Sequence, residues 1–300
     1  MTRMRTRLRV SGGTCHRRSS DAPWCTLVHP AALYRRAKVI TMSTLLTVQD
    51  YLATIDAASA RLRHDAAAGS LADSVPSCPG WSVSDLVGHH GGVMRWAAEI
   101  VAGGRTSNVA KSELDAVLAA PNDRQSLLEW HSEAAGRLCR TLEGFGDGPA
   151  LVFLADAPAP RLFWARRQAH EATIHGVDAQ SARLGHLPTA ASTPIPTELA
   201  VDGIDELLTG FVPRRSSGLH TDGPVTLLVA PTDAEHAWTV TVGPDVPVTT
   251  RGATGHADAT LTGSAVALYL GLWNRGDEIA EQGLAPMLGL WRDKVRIRWS

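Results

Sequence analysis

The chain has 300 residues, of which 44% are hydrophobic and 20% charged, so we expect a well-filled core in one large or two smaller domains. The formal net charge of −1 is unevenly spread. Residues 1–41 carry nine Lys/Arg against one acid (+8), and the remaining residues carry 20 against 29 (−9). The net negative charge of residues 42–300 argues against nucleic acid as the main partner.

Two other protein classes are also disfavoured. No run of about 18 apolar residues occurs, so no membrane partner is expected. The N-terminus lacks the continuous apolar stretch of a secretory signal. The four cysteines are scattered without a CxxC pair, which favours a reducing cytoplasmic location over a disulfide scaffold: Cys15, Cys25, Cys78 and Cys139.

Residues 1–41 are predicted to be a disordered basic extension. They mix Arg, Ser, Gly and Pro without a sustained period. Met42 stands directly before a helix signal, so it is a candidate for the true translation start. A targeting peptide is the other interpretation of this segment.

Residues 45–187 are predicted to form a four-helix bundle. Thr47 opens the first helix in a capping-box-like sequence, and Ser82 can cap the second. Further helices are predicted at about 123–142 and 162–184, separated by a connection rich in Gly and Pro. Four long helices joined in this way are typical of a bundle.

Residues 197–300 are predicted to form a small α+β domain after a linker at 188–196. A helix at about 198–208 leads into period-two runs that are typical of strands. The predicted strands are 225–229, 238–242, 259–262 and 295–299, and further helices are predicted at 264–273 and 285–291. The fold class is therefore α+β with two domains.

The fourth helix contains a candidate pair of metal ligands. Glu171 and His175 are four residues apart, about 40° around the helix, so both side chains can reach one ion. His170 is five residues before His175, about 140° away, which does not fit the zinc-protease motif. Asp178 is close enough to orient the His175 ring, and Arg167 can reach Glu171.

A third ligand must come from another helix, because catalytic zinc sites usually have three protein ligands. The candidates are His89 and His90 in the second helix. His89 shares the spacing of the apolar residues Leu86 and Val93, whereas His90 is turned about 100° away, so at most one should bind. The competing interpretations are an exposed Glu/His pair and a hydrogen-bonded core histidine.

The motifs resemble those of the mycothiol-dependent maleylpyruvate isomerase family. Residues 78–89 read Cys-Pro-Gly-Trp-Ser-Val-Ser-Asp-Leu-Val-Gly-His, like the first family signature, and residues 167–178 are similar to the second. Residues 202–206 and 272–275 also resemble family features, and the resemblance covers nearly all of 45–300. His90 stands where the family usually has an apolar residue.

This resemblance implies a fold, a metal and a reaction. The fold would be a DinB-like four-helix bundle, followed by a sterol-carrier-like domain. The bundle would bind a divalent metal, usually zinc, through His89, Glu171 and His175. Mycothiol would be the thiol cofactor, and its activated thiolate would add to the cis double bond of maleylpyruvate and leave after rotation.

The reaction and the substrate-binding groups are left open by the sequence. The same thiolate could instead be transferred to a small electrophile. Arg275 matches a family arginine and is the candidate catalytic cation for substrate carboxylates, with a surface arginine as the alternative. A different class of function is a non-catalytic, metal-containing protein that binds a small ligand.

Overall fold

A computed structural model describes residues 46–108, 111–146 and 148–296. The predicted extension 1–41 and Met42 lie outside the described residues, as does most of the predicted strand at 295–299. Within the described part, the helical and sheet-containing regions belong to one compact unit. The α+β fold class is confirmed: a DinB-like helical bundle precedes a small domain with a mixed sheet.

The bundle begins with two capped helices. Thr47 and Asp50 form a complete capping box at the start of the first helix, and Ser82 and Asp85 do the same for the second. A short third helix, which the sequence did not predict, lies in the following connection. The helices are α1 (Val48–Ala68), α2 (Val83–Ala102), α3 (Lys111–Leu118), α4 (Arg124–Gly144) and α5 (Pro160–Leu184).

Helix α5 is the central element of the bundle. It packs mainly on α1 and also on α2, whereas α2 packs mainly on α4. Nearly every side chain from Phe163 to Ala179 is buried, so polar residues in this stretch must find partners inside the protein. Gly185 ends the helix with a left-handed φ of 74°, where glycine avoids steric strain.

The second half contains α6 (Thr197–Glu206), which continues into a π-helical turn, Leu207–Phe211. A five-stranded mixed sheet follows in the order β3-β2-β1-β4-β5, with β1 and β4 parallel and the other neighbours antiparallel. Its elements are β1 (Val225–Pro231), β2 (Trp238–Val242), β3 (Val248–Arg251), β4 (Ala259–Gly263), α7 (Ala265–Leu272), β5 (Ala280–Gly283) and α8 (Met287–Lys294).

The edge strands β3 and β5 were not predicted. All four residues of β5 are exposed and none of β3 is fully buried, so neither shows the alternation of apolar and polar residues that marks the inner strands. Val295 and Arg296 do not continue into a strand within the described residues. No helix of the described residues has both the length and the apolar character needed to cross a membrane.

Helix α6 connects the bundle to the sheet through buried acids. Asp202, Asp205 and Glu206 have almost no exposed surface, and each contacts an arginine. Gly203 allows this close approach, because a Cβ at that position would collide with the rings of His170 and Tyr269. The site described below therefore has α6 and the C-terminal domain directly behind it.

Candidate metal centre

His89 on α2 meets Glu171 and His175 on α5 at a single point. The three potential ligand atoms all lie within 4.8 Å of one another. Nε2 of His175 is 3.1 Å from Oε1 of Glu171, and Nε2 of His89 is 3.6 Å from the same oxygen. The structure thus brings together the three residues whose spacing and motifs predicted a metal site.

His175 is oriented from behind by Asp178 and Arg275. Its Nδ1 lies 2.8 Å from Oδ2 of Asp178, which leaves Nε2 directed at Glu171. Arg275, beyond the end of α7, donates from Nε to Oδ1 of Asp178 at 2.9 Å and from Nη2 to Oδ2 at 3.1 Å. An imidazole held through its second nitrogen by a carboxylate is a common arrangement behind metal sites.

Glu171 is held in a similar way by Arg167. Its Oε2 accepts from Nη2 of Arg167 at 3.2 Å, so Oε1 is the oxygen that faces the two histidines. Nη1 of Arg167 also pairs with Glu206 on α6. The guanidinium lies over the rings of Phe211 and Trp273, with Cζ 5.1 and 5.5 Å from their centroids.

The burial of His89 and His90 on α2 differs from what the sequence predicts. His89 was expected on the inward stripe, but its side chain is 21% exposed, whereas His90 is fully buried. The reason is that α2 packs on α4 as well as on α5. His89 lies against the ligand pair of α5, and His90 turns towards α4, where its Nδ1 is 2.8 Å from Nε2 of His131.

Trp81 forms one side of the site, a role that its position in the sequence does not predict. Its ring packs edge-on against His89, with centroids 4.8 Å apart, and stacks at 6.1 Å with His175. Cys78, from the same turn, lies 3.3 Å from Oδ2 of Asp178 and 3.2 Å from Nη2 of Arg275. The turn before α2 therefore covers both the ligands and the groups that orient them.

Electrostatics keep the acids of the site ionised. Burial opposes ionisation of Glu171, but the imidazoles of His175 and His89 outweigh it and hold the pKa of Glu171 well below its usual value. Burial likewise opposes ionisation of Asp178, and Arg275 and His175 lower its pKa. Burial disfavours the charged form of His175, yet hydrogen bonds to Asp178 and Glu171 raise its pKa to about 9.

The pKa values of His90 and His131 are lowered, in contrast to the raised pKa of His175. Burial lowers the pKa of His131 to about 3, and the nearby Arg63 acts in the same sense. Burial, followed by electrostatic interaction with the His131 and His175 rings, holds the pKa of His90 well below its ordinary value. Both rings are therefore neutral at physiological pH.

His170 belongs to a separate network on another side of α5. Its Nε2 lies 2.7 Å from Oδ2 of Asp202, and its Nδ1 lies 3.1 Å from the hydroxyl of Tyr269. Asp202 also accepts from the Tyr51 hydroxyl and from Arg166. These contacts fix α5 against α6 and the C-terminal domain. They leave His170 turned away from His89, Glu171 and His175, which together form the ligand cluster.

The ligand cluster has the chemistry of a divalent-metal site. Two imidazoles and one carboxylate are a known ligand set for catalytic zinc. Nε2 of His89 is buried and makes no hydrogen bond to any described residue, although an isolated buried polar atom is costly. The oriented His175 and Glu171 complete the set, so these residues fit a metal with three protein ligands.

A groove is found elsewhere in the described residues. It has a volume of about 410 Å³ and lies between α1, α5 and the segment after α5. Thr173, Gly176 and Gln180 line it, and their positions on the helix are on the side of α5 opposite to Glu171 and His175. The groove is therefore separate from the candidate metal centre.

Comparisons with known proteins agree with this architecture. A family model described as the mycothiol maleylpyruvate isomerase N-terminal domain matches residues 52–180, and the model of the corresponding C-terminal domain matches residues 198–283. No curated protein matched the sequence.

Two solved structures are similar over most of the chain. One is a mycothiol-dependent maleylpyruvate isomerase, with a TM-score of 0.54 and 16% identity over 85% of this chain and 98% of its own. The other is a histidine-to-alanine mutant of such an isomerase, with the same TM-score and coverage and 15% identity. At this identity the structures show a shared fold. The two family models together span most of the described residues, and the chain belongs to the mycothiol-dependent maleylpyruvate isomerase family.

Proposed function

We propose that the protein is a metal-dependent enzyme that uses a low-molecular-weight thiol, mycothiol by family membership, to isomerise a maleylpyruvate-like substrate. The observation that carries this proposal is the meeting of His89, Glu171 and His175 within 4.8 Å. A divalent ion there, zinc by the ligand set, would lower the pKa of a thiol that enters the site and so supply a nucleophile at neutral pH.

The protein's own residues prepare this site. Asp178 holds the Nδ1 side of His175, so Nε2 is the ligand atom. Arg167 occupies one oxygen of Glu171 and leaves the other for the ion. Trp81 packs against both imidazoles and limits the access of water from that side. Rigid ligands reduce the reorganisation needed when the ion and the thiol bind.

Arg275 is the proposed cationic group of the reaction. Its contacts to Asp178, Cys78 and the Trp273 carbonyl use all but one of its N–H groups. We assign the remaining Nη1–H to a carboxylate of the substrate. The side chain is 17% exposed, so it is not closed off completely from a small ligand. Arg275 would then both orient His175 through Asp178 and bind the substrate.

Transfer of the thiol to an electrophile uses the same site and is the second candidate reaction. It differs only in that the sulfur stays attached to the product. A binding protein without catalysis is the alternative from another class. The described cysteines, Cys78 and Cys139, are free, in keeping with the reducing cytoplasm that we propose as the location.

Metal content and turnover test these candidates together. Purified protein should contain one divalent ion per chain and convert maleylpyruvate to its trans isomer only when mycothiol is present. A screen of alkylating electrophiles would detect thiol transfer instead. His89→Ala and Glu171→Gln should lose both the ion and the activity, whereas the exposed His186→Ala serves as the matched control. Metal-free protein whose ligand binding is unaffected by these substitutions would exclude the enzyme.

A further inference from the structure

A buried histidine pair lies beside the metal centre and is not used by the proposed ligands. Nδ1 of His90 is 2.8 Å from Nε2 of His131, and both side chains are completely buried. Nη1 of Arg63 lies 3.5 Å from Nδ1 of His131. The three residues form a row that runs from α1 through α4 to α2.

This row fixes the position of the hydrogen on each ring. A guanidinium only donates, so Nδ1 of His131, which faces Arg63, is the nitrogen without hydrogen. A neutral imidazole has one donor and one acceptor, so Nε2 of His131 donates to Nδ1 of His90. Nδ1 of His90 is then an acceptor, and the hydrogen of His90 must be on Nε2.

The Nε2–H of His90 is a buried donor next to the ligand cluster. The centroid of the His90 ring is 5.0 Å from that of His131, towards which Nδ1 points, and 5.7 Å from that of the ligand His175. Nε2 has no hydrogen-bond partner among the described residues. An unpaired buried donor is costly, so a bound group that accepts from Nε2 would remove that cost.

We propose that His90 donates its Nε2–H to the anionic sulfur of the thiol that binds at His89, Glu171 and His175. The inference rests on the proposed function. It makes His90 a thiol-binding residue and not a metal ligand, because a nitrogen that carries a hydrogen has no lone pair for an ion. The bond would hold the sulfur in one orientation for attack.

Cobalt(II) and 2-mercaptoethanol provide a test that does not depend on turnover. His90→Leu should bind cobalt as the native protein does, within about threefold, because the ligands are unchanged. Binding of 2-mercaptoethanol to the cobalt protein, followed by its sulfur-to-metal absorption band, should weaken by about tenfold to a hundredfold, as for a lost hydrogen bond to a charged group. His90→Gln retains an N–H donor and should recover part of the affinity.

These measurements distinguish a wrong role for His90 from a wrong metal site. A native protein that does not bind cobalt contradicts the metal site itself. Unchanged 2-mercaptoethanol affinity in His90→Leu overturns the His90 proposal alone, as does loss of cobalt from His90→Leu while His89→Ala retains it. If His90→Leu does not fold, nitrogen NMR of the native metal-free protein decides: hydrogen on Nε2 of His90 supports the proposal, and hydrogen on Nδ1 overturns it.

Discussion

Arg275 and Asp178, 97 residues apart in the chain, are joined by two hydrogen bonds of 2.9 and 3.1 Å. The same carboxylate contacts Nδ1 of His175 at 2.8 Å. A residue of the C-terminal domain thus controls the orientation of a ligand on the bundle. The candidate site is therefore a property of both halves of the protein.

Loss of the Arg275 guanidinium should be strongly destabilising. Arg275→Met leaves Asp178 buried with only His175 as a cationic partner, and we expect the free energy of unfolding to fall by about 3 kcal/mol, as for a broken buried ion pair. Urea denaturation measures this loss. Adding Asp178→Asn to Arg275→Met should restore part of it, because the unpaired charge is removed.

The matched control is a more exposed arginine–aspartate pair, which joins Arg183 on α5 to Asp65 on α1. Arg183 contacts Asp65 at 2.6 Å but is 39% exposed, so Arg183→Met should cost no more than about 1 kcal/mol. Equal losses for Arg183→Met and Arg275→Met would contradict the role given to burial at Asp178.

The long elements of this fold could be predicted from sequence because they have clear ends and periods. Thr47 and Ser82 are helix caps in the structure, as their sequences indicate. Helix α3 and the strands β3 and β5 could not be predicted. They are short, and their side chains are largely exposed where described, so hydrophobic periodicity carries little information about them.

Residue spacing predicts the contacts of the candidate site only where both partners share one helix, whereas His89, on α2, was identified by its resemblance to the family signature. The spacing of Arg167, Glu171, His175 and Asp178 predicts their contacts, which the structure contains. Partners on other elements are set by tertiary packing. The pairing of Arg167 with Glu206 and of His90 with His131 depends on how α6 and α4 pack, which no spacing in the chain records.

Metal affinity should depend on pH through His175. Its pKa is raised to about 9, so in the metal-free protein the ring is protonated at pH 7 and must lose a proton to bind an ion. Affinity should rise by about tenfold per pH unit from pH 7 and level off above pH 9. Calorimetry in buffers of different ionisation enthalpy should detect release of about one proton per ion at pH 7.

The stability of the metal-free protein should fall with rising pH, whereas metal affinity should rise. A raised pKa in the folded state stabilises below the unfolded value of about 6.5, and this contribution is lost as pH rises through about 9. Stability that increases between pH 7 and 9 in the absence of metal would contradict the assigned contacts of His175.

His131 should make the protein acid-sensitive. Its folded pKa of about 3 is below the unfolded value, so its contribution to stability is present above pH 6.5 and is lost as pH falls towards 3. As pH falls, the unfolded state binds this proton before the folded state does. The free energy of unfolding therefore falls by about 1.4 kcal/mol per pH unit near pH 5. His131→Gln should reduce the slope of unfolding free energy against pH by up to that amount. An unchanged slope would exclude a buried neutral ring.

Glu206 should influence the metal centre without touching it. It shares Arg167 with Glu171, so Glu206→Gln leaves the guanidinium to pair with Glu171 alone. Stronger competition for that carboxylate and the loss of a nearby negative charge both weaken metal binding, by about tenfold for a partner behind a ligand. Competition with a chromogenic chelator measures the affinity. Glu198→Gln, exposed on the same helix, is the control and should bind metal normally; a similar loss there would show that the effect is not transmitted through Arg167.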